Sequence, residues 1–173
     1  MTQAAKTPPG RRTSESKRHL KHVVQNDTTT SALANPTAST TKPTGNVIDL
    51  NDHAAARVFF GGTDGANETI NYQILLWYLM DDGNGKQDWI PRIVATGVAT
   101  LSAMAMPVNY QATNGLMADS ITDTIDDDGS VEESPADDTV AMLYIKCRGA
   151  ALLEIETDLG TAAAADAWVQ LGE

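Results

Sequence analysis

The stretch "TINYQILLWYLM", residues 69–80, decides the fold class, because its apolar side chains alternate with a period of two. One face of the predicted strand carries Ile70, Tyr72, Ile74, Leu76 and Tyr78. Apolar residues also occupy the opposite face in its second half, at Leu75, Trp77 and Leu79. We therefore predict a long strand that is covered on both sides.

Turn signals and further short apolar stretches surround this strand. Glycine- and aspartate-rich segments lie directly before and after it, at 61–68 and 81–88. Strand-like segments include "NVIDL", "AARVFF", "ADSITDTI", "TVAMLYIKCRG" and "ALLEIETDLG". About seven or eight short strands with little helix predict an all-β fold, either a β-sandwich or a jelly roll.

Three local features refine this prediction. Pro91 cannot donate to a strand ladder, so it marks a sheet edge or a bulge. Arg148 and Gly149 predict a hairpin between the last two of these strands. Helices are expected to be short, at residues 15–24 and in the alanine-rich segment after Thr161.

The charge distribution divides the chain into two parts. The chain of 173 residues has a formal net charge of −11. Residues 1–46 hold seven of its 12 basic residues and two of its 23 acidic ones. We therefore predict a basic, Thr/Ser/Pro-rich, extended arm over 1–46 and an acidic β-sandwich body over 47–173.

The arm is the predicted partner-binding element. Leu20, Val23 and Val24 form an apolar stripe at helical spacing. Its predicted basic contacts are Lys6, Arg11, Arg12, Lys17, Arg18 and Lys21. The arm lacks interleaved aromatic residues and the body is acidic, so nucleic-acid binding is disfavoured except through the arm itself.

No residue pattern indicates catalysis. His53 is the single histidine of residues 47–173, and neither a nucleophile–base pair nor a phosphate loop is evident. We therefore expect a protein that is not an enzyme and needs no cofactor. Cys147, the single cysteine, lies in an apolar run and is predicted to be a buried thiol in a protein made in a cytoplasm. No apolar run is long enough to cross a bilayer, so no membrane association is expected.

Calcium is the metal that the sequence leaves open. In the acidic run 122–138, oxygen ligands recur at alternate positions, but valine replaces the glycine of a calcium loop at position 131. The candidate ligands there are Asp126, Asp128, Ser130 and Glu132. The turn at 81–88 offers a similar set of oxygen ligands, namely Asp81, Asp82, Asn84 and Asp88. A solvated acidic loop is the favoured interpretation, and a calcium site is the alternative.

The body also resembles a known class of protein. The segments concerned are "ARVFFGGTDGANETINYQILLWY" (56–78), "WIPRIVATGVATLSA" (89–103), "MADSITDTI" (117–125) and the stretch from "VAMLYIKCRG" to "DAWV" (140–169). They resemble small accessory structural proteins of tailed-phage virions. The resemblance implies a non-enzymatic β-sandwich that decorates or cements a capsid, often as a trimer. We therefore expect the N-terminal arm to anchor this body to the major capsid protein. The resemblance also implies a virion location after synthesis in the host cytoplasm.

A carbohydrate-binding β-sandwich used for host adhesion is the alternative function. It needs an exposed aromatic platform, and Trp89, beside Pro91 and a glycine-rich turn, is the best candidate for a ligand-facing aromatic. Trp77, in the middle of the predicted strand, is expected to belong to the core.

Overall fold

A computed structural model describes residues 20–63, 65–105, 115–123 and 142–172. Within these ranges the chain forms strands and no helix, so the predicted all-β class is confirmed. The strands are β1 (Lys21–Asp27), β2 (Val47–Asp49), β3 (Ala55–Thr63), β4 (Thr69–Asp81), β5 (Gln87–Ala105), β6 (Gly115–Asp123), β7 (Leu143–Lys146), β8 (Leu152–Leu159) and β9 (Ala164–Gly172).

All the strands belong to one antiparallel sheet. Its order is β1-β9-β3-β6-β5-β4-β8-β2. Strand β3 pairs with β9 along one side; on its other side it pairs with β7 near its start and with β6 near its end. Strand β6 pairs with the last part of β3 on one side and with β5, from Gly97 onward, on the other.

The sheet curls until its two ends approach each other. The rings of Phe60 on β3 and Tyr72 on β4 stack at 4.6 Å, although two other strands separate β3 from β4 in the sheet. At the sheet ends, Thr157 Oγ1 donates a hydrogen bond to Asp27 Oδ2 at 2.6 Å. The facing layers expected of a sandwich are therefore opposite halves of a single, nearly closed sheet, with one apolar core between them.

Strand β4 is covered on both faces, as its sequence predicts. Ile70, Tyr72, Ile74 and Leu76 lie in the main core. On the opposite face, Leu75 and Trp77 pack with Leu152 of β8 into a second buried cluster, against which Trp89 and Ile93 also pack. The predicted core position of Trp77 is thus confirmed, and its side chain is only 6% exposed.

The position of Pro91 is also as predicted. Strand β5 pairs with β4 throughout residues 87–100, but with β6 only from Gly97 onward. Trp89 bonds through its backbone to Ser39 on the side away from β4. Pro91 lies two residues further on, so its missing N–H falls on that same open edge.

Residues 28–46, here called the strap, pass over the outer face of the sheet. Thr29 O accepts a hydrogen bond from Leu159 N at 2.9 Å, and Asn46 O accepts one from Ile155 N at 3.0 Å. Between these points, Ser39 and Trp89 exchange two backbone hydrogen bonds, of 2.9 and 2.7 Å. The strap has few apolar side chains, but its backbone hydrogen bonds fasten it to β8 and β5.

The first predicted helix is wrong for the residues that the structure describes. From Lys21 the chain is a strand, paired with β9, and residues 15–19 lie outside the described ranges. Val24 is completely buried in the core of its own chain, so it does not face a partner as the predicted stripe requires. The β-branched side chains of Val23 and Val24 favour this strand. A segment assigned to the arm therefore contributes a strand to the sheet.

The alanine-rich helix after Thr161 is also wrong. Residues Ala164–Gly172 form β9, between β1 and β3. Strand β9 lies close to β3: a Cβ atom at Gly62, on β3, would stand 2.5 Å from the carbonyl oxygen of Ala164, and Ala165 and Ala167 are completely buried. Tertiary packing therefore overrides the helical propensity of alanine.

The predicted β7–β8 hairpin is correct in its turn and wrong in its pairing. Arg148 and Gly149 have φ values of 47° and 76°, and Ala150 N donates to Cys147 O at 2.8 Å, which closes a tight turn. However, β7 pairs with β3, whereas β8 pairs with β4 and β2. The turn therefore connects two separate parts of the sheet.

Two truncations test whether β1 is integral to the body. A chain that lacks residues 1–19 keeps every described strand, and we expect its melting temperature to match that of the full chain. A chain that lacks 1–46 loses β1, the strap and the buried Val24, so it should unfold at a much lower temperature or fail to fold. Circular dichroism melts of both chains measure this.

A point substitution provides the matched control. Val24→Ala should lower the free energy of unfolding in urea by about 2 to 3 kcal/mol, because it leaves a cavity in the core. Val23→Ala, at a half-buried neighbour, should have a smaller effect.

Equal stability of the two truncated chains would contradict an integral β1.

Candidate functional site

An acidic concavity, here called the strap groove, lies beneath the strap. It encloses about 400 Å³ between the outer face of β8, the end of β1 and both ends of the strap. Glu154 and Glu156 alternate along β8, so both carboxyl groups project from its outer face. The groove is lined by Asp27, Thr29, Ser31–Ala34, Thr44–Asn46 and Glu154–Thr157.

Hydrogen bonds from β4 hold both glutamates. Trp77 Nε1 donates to Glu154 Oε2 at 2.6 Å. Gln73 Nε2 donates to Glu156 Oε2 at 3.0 Å and to the carbonyl oxygen of Ala34 in the strap at 3.1 Å. Gln73 is only 4% exposed, so its amide bridges strap and sheet from a buried position.

The pKa values of the three carboxyl groups in the groove are shifted in different directions. Burial raises the pKa of Glu154, against the hydrogen bond from Trp77. Burial and the neighbouring charge of Glu154 raise the pKa of Glu156, against the hydrogen bond from Gln73. For Asp27, burial would raise the pKa, but hydrogen bonds from Thr157 and Thr29 outweigh it and the pKa is lowered.

This chemistry does not make a recognisable active site. The groove contains no histidine, cysteine or basic side chain among the residues that line it. Across the described ranges, no three histidine, cysteine, aspartate or glutamate side chains are grouped so that they could hold a metal ion. The groove is therefore a polar, negatively charged recess whose carboxyl groups are tied to the fold.

The second candidate region is the hairpin tip, residues 79–90, where β4 turns into β5. Asp81 Oδ1 accepts a hydrogen bond from Gly83 N at 2.7 Å. Asp82 Oδ1 accepts bonds from Asn84 N at 2.8 Å and Lys86 N at 3.1 Å. These carboxylates, which the sequence offers as calcium ligands, stabilise the turn itself; the fourth candidate of that set, Asp88, pairs with Lys86 at 2.9 Å.

The hairpin tip also exposes apolar surface. Leu79 is 41%, Met80 57% and Ile90 38% exposed, and no other large apolar side chain in the described ranges is comparably exposed. Met80 and Ile90 lie on one face of the projecting hairpin and Leu79 on the other, because Ile90 is paired with Tyr78 and successive residues of a strand alternate between faces. Exposed apolar side chains on a rigid projection are typical of a protein-interaction surface.

Other predicted site residues have mixed outcomes. Lys21 is exposed and Leu20 is half-buried, whereas Val23 packs against the core. Trp89 is half-buried and belongs to the outer cluster of β4, so packing accounts for much of its surface. Two sets lie outside the described residues: the basic Lys6, Arg11, Arg12, Lys17 and Arg18, and the calcium candidates Asp126, Asp128, Ser130 and Glu132.

Sequence reasoning missed the fastening of β1 to β9. The ring of His22 stacks on Trp168 with centroids 4.9 Å apart, and its Nε2 lies 2.7 Å from Asp166 Oδ1. The same carboxylate oxygen accepts a hydrogen bond from Asn26 N at 2.9 Å. Asp166 is only 2% exposed, although the sequence places it in an alanine-rich segment that predicts a helix. The contact could have been predicted only if residues 164–172 had been assigned to a strand and not to a helix.

Cys147 is a buried thiol, as the sequence predicts, and burial raises its pKa to about 11. At about pH 8 we therefore expect a disulfide reagent to modify the native chain about a hundredfold more slowly than the urea-unfolded chain. Release of the chromophore from the reagent measures the rate. Comparable rates in the two states would contradict the buried position.

The glutamate pair predicts a pH-dependent stability. Because the pKa of Glu156 is raised in the folded chain, the stability it contributes is complete below the ordinary value of 4.5 and is lost as the pH rises through the raised value. Glu156→Gln keeps an oxygen that accepts from Gln73 and removes the charge. It should raise the melting temperature at about pH 7 and leave it unchanged below pH 4.5.

Glu68→Gln is the control for this experiment, because Glu68 lies outside the strap groove and also loses one charge. It should not reproduce the pH-dependent gain. Calorimetry at both pH values distinguishes the variants. An equal gain at both pH values, or the same gain in the control, would contradict a destabilising carboxylate in the groove.

Comparison with known proteins does not assign the chain to a family. No family model matches it, and no curated protein or solved structure matches it either. Within the described ranges, the structure has no helix with the length and apolar character that a membrane span requires. The all-β architecture rests on the structure alone. The expected kinship with virion proteins stays a prediction.

Proposed function

We propose that the chain is a non-enzymatic structural protein of a phage virion that decorates or cements the capsid by binding the major capsid protein. The observation that supports this most strongly is the hairpin tip, where Met80 and Ile90 are exposed on one face and Leu79 on the other.

The hairpin is built as a rigid element. Strands β4 and β5 are paired without interruption from Thr69 opposite Thr100 to Asp81 opposite Gln87, apart from one bulge beside Leu75. Its turn is held by hydrogen bonds from backbone N–H groups to Asp81 and Asp82. A rigid apolar projection loses little conformational entropy on binding, which favours docking into a pocket on a partner.

The basic part of the arm supplies the second contact in this proposal. Residues 1–19 carry five basic residues and the acidic Glu15, and they lead directly into β1. At about 3.3 Å per residue, 19 residues reach up to about 60 Å. Because β1 is fastened to β9, a contact made by these residues would be tethered to the body. Attachment to an acidic capsid surface should weaken as the salt concentration rises.

We propose a homotrimer as the oligomeric form of this chain, because the capsid accessory proteins that it resembles are often trimers. Nucleic acid contacts are confined in this proposal to the arm. The carbohydrate-binding alternative has no observation in its favour: Trp89, on which it depends, packs in the outer cluster of β4.

A charge placed in the hairpin tip tests the proposed docking surface. Met80→Asp should weaken cosedimentation with capsid shells of the phage that carries the gene by at least about tenfold, since it buries an unpaired charge at the interface. Gln87→Glu is the matched control: it adds the same charge at an exposed polar position on the opposite face of the hairpin from Met80 and Ile90, and should have little effect.

Melting temperatures of both variants should equal that of the unmodified chain, which separates loss of docking from loss of folding. The proposal would be overturned by shells that do not retain the unmodified chain. Unchanged retention of Met80→Asp would overturn the assignment of the docking surface to the hairpin tip.

A further inference from the structure

A second concavity lies beside the tight turn that connects β7 to β8. It encloses about 420 Å³ between the residues that follow β7 and the loop that connects β2 to β3. Its lining consists of Asp52, His53, Ala54, Lys146, and Arg148–Ala150. We call it the basic cavity, because its lining contains two basic side chains and one acidic side chain.

This concentration of positive charge stands out in an acidic body. Residues 47–173 contain only five lysines and arginines against 21 aspartates and glutamates. Two of those five, Lys146 and Arg148, line the basic cavity, together with His53, the single histidine of the body. The two cationic side chains share the cavity with one acidic residue, Asp52, so the lining has a net positive charge that attracts an anion.

The backbone around the basic cavity is held firmly. Cys147 N donates to Ala54 O at 2.8 Å, which joins the two loops that form the walls. His53 N donates to Leu50 O at 2.9 Å. Arg148 has a φ of 47°, a left-handed conformation that is unfavourable for a residue other than glycine, asparagine or aspartate. This conformation belongs to the tight turn closed by Ala150 N and Cys147 O, which fixes the backbone of Arg148 in the lining of the cavity.

The imidazole of His53 is also fixed in place. Its Nδ1 lies 3.0 Å from the carbonyl oxygen of Gly172. A carbonyl oxygen can only accept, so Nδ1 carries the hydrogen of this bond. The last described strand, β9, thus positions the histidine of the basic cavity.

We propose that the basic cavity binds a phosphate group. A guanidinium presents paired N–H donors that match two phosphate oxygens, and an ammonium adds a compact charge for a third. The volume exceeds that of a single phosphate, so the group can enter attached to a larger molecule. Inorganic phosphate, a phosphate monoester and the phosphodiester backbone of DNA share this chemistry. The proposal does not depend on the proposed capsid role.

Calorimetric titration of the full chain with inorganic phosphate tests the site. We expect saturable binding by the unmodified chain and, in the double variant Lys146→Gln/Arg148→Gln, a dissociation constant raised at least about tenfold. Lys86→Gln is the matched control. It removes one positive charge at the hairpin tip, away from the basic cavity, and should bind phosphate as the unmodified chain does.

Two results would overturn the proposal. One is the lack of saturable binding at about 10 mM phosphate, a concentration that fills about nine-tenths of a 1 mM site. The other is binding that the double variant retains, provided that its melting temperature is unchanged. A competition arm identifies the source of the phosphate: displacement by a short DNA duplex indicates a phosphodiester, and displacement by a phosphate monoester alone indicates a small molecule.

Discussion

The need to cover both faces of β4 organises the molecule. Its inner face is buried by the opposite half of the curled sheet, as the stacking of Phe60 on Tyr72 shows. Its outer face carries Leu75 and Trp77, which a sheet open to water on that side would leave exposed. Neighbouring side chains of β8 and β5 pack against Leu75 and Trp77, and the strap crosses the same face of the sheet. A segment without a hydrophobic pattern of its own thus becomes part of the fold.

Period-two patterning predicts the parts of the fold that depend on apolar side chains. Strand β4 and its two buried faces follow directly from residues 69–80, and the edge position of Pro91 follows from its missing N–H. The all-β class is predictable for the same reason. Side-chain patterning is local, so it identifies strands better than it identifies which strands pair.

The failures have a common physical origin in contacts between distant segments. The strap is held through backbone groups, which every residue has, so its sequence does not indicate where it binds. Alanines favour a helix in isolation, but residues 164–172 are paired as a strand between β1 and β3, with Ala165 and Ala167 buried in the core. Glu154 and Glu156 have the alternation of a solvent-facing surface, and only the strap, which passes over them, turns that surface into a groove.

The fastening of β1 to β9 has a mechanical consequence. A tension applied through the residues before Leu20 and directed along β1 would load its ladder with β9 in shear, so that several hydrogen bonds must fail together. The stack of His22 on Trp168 and the contact with Asp166 lie near the point where such a force enters. If the chain is attached to a capsid as proposed, expansion of the capsid would pull on it in this way, and the geometry of β1 resists that direction of pull better than peeling.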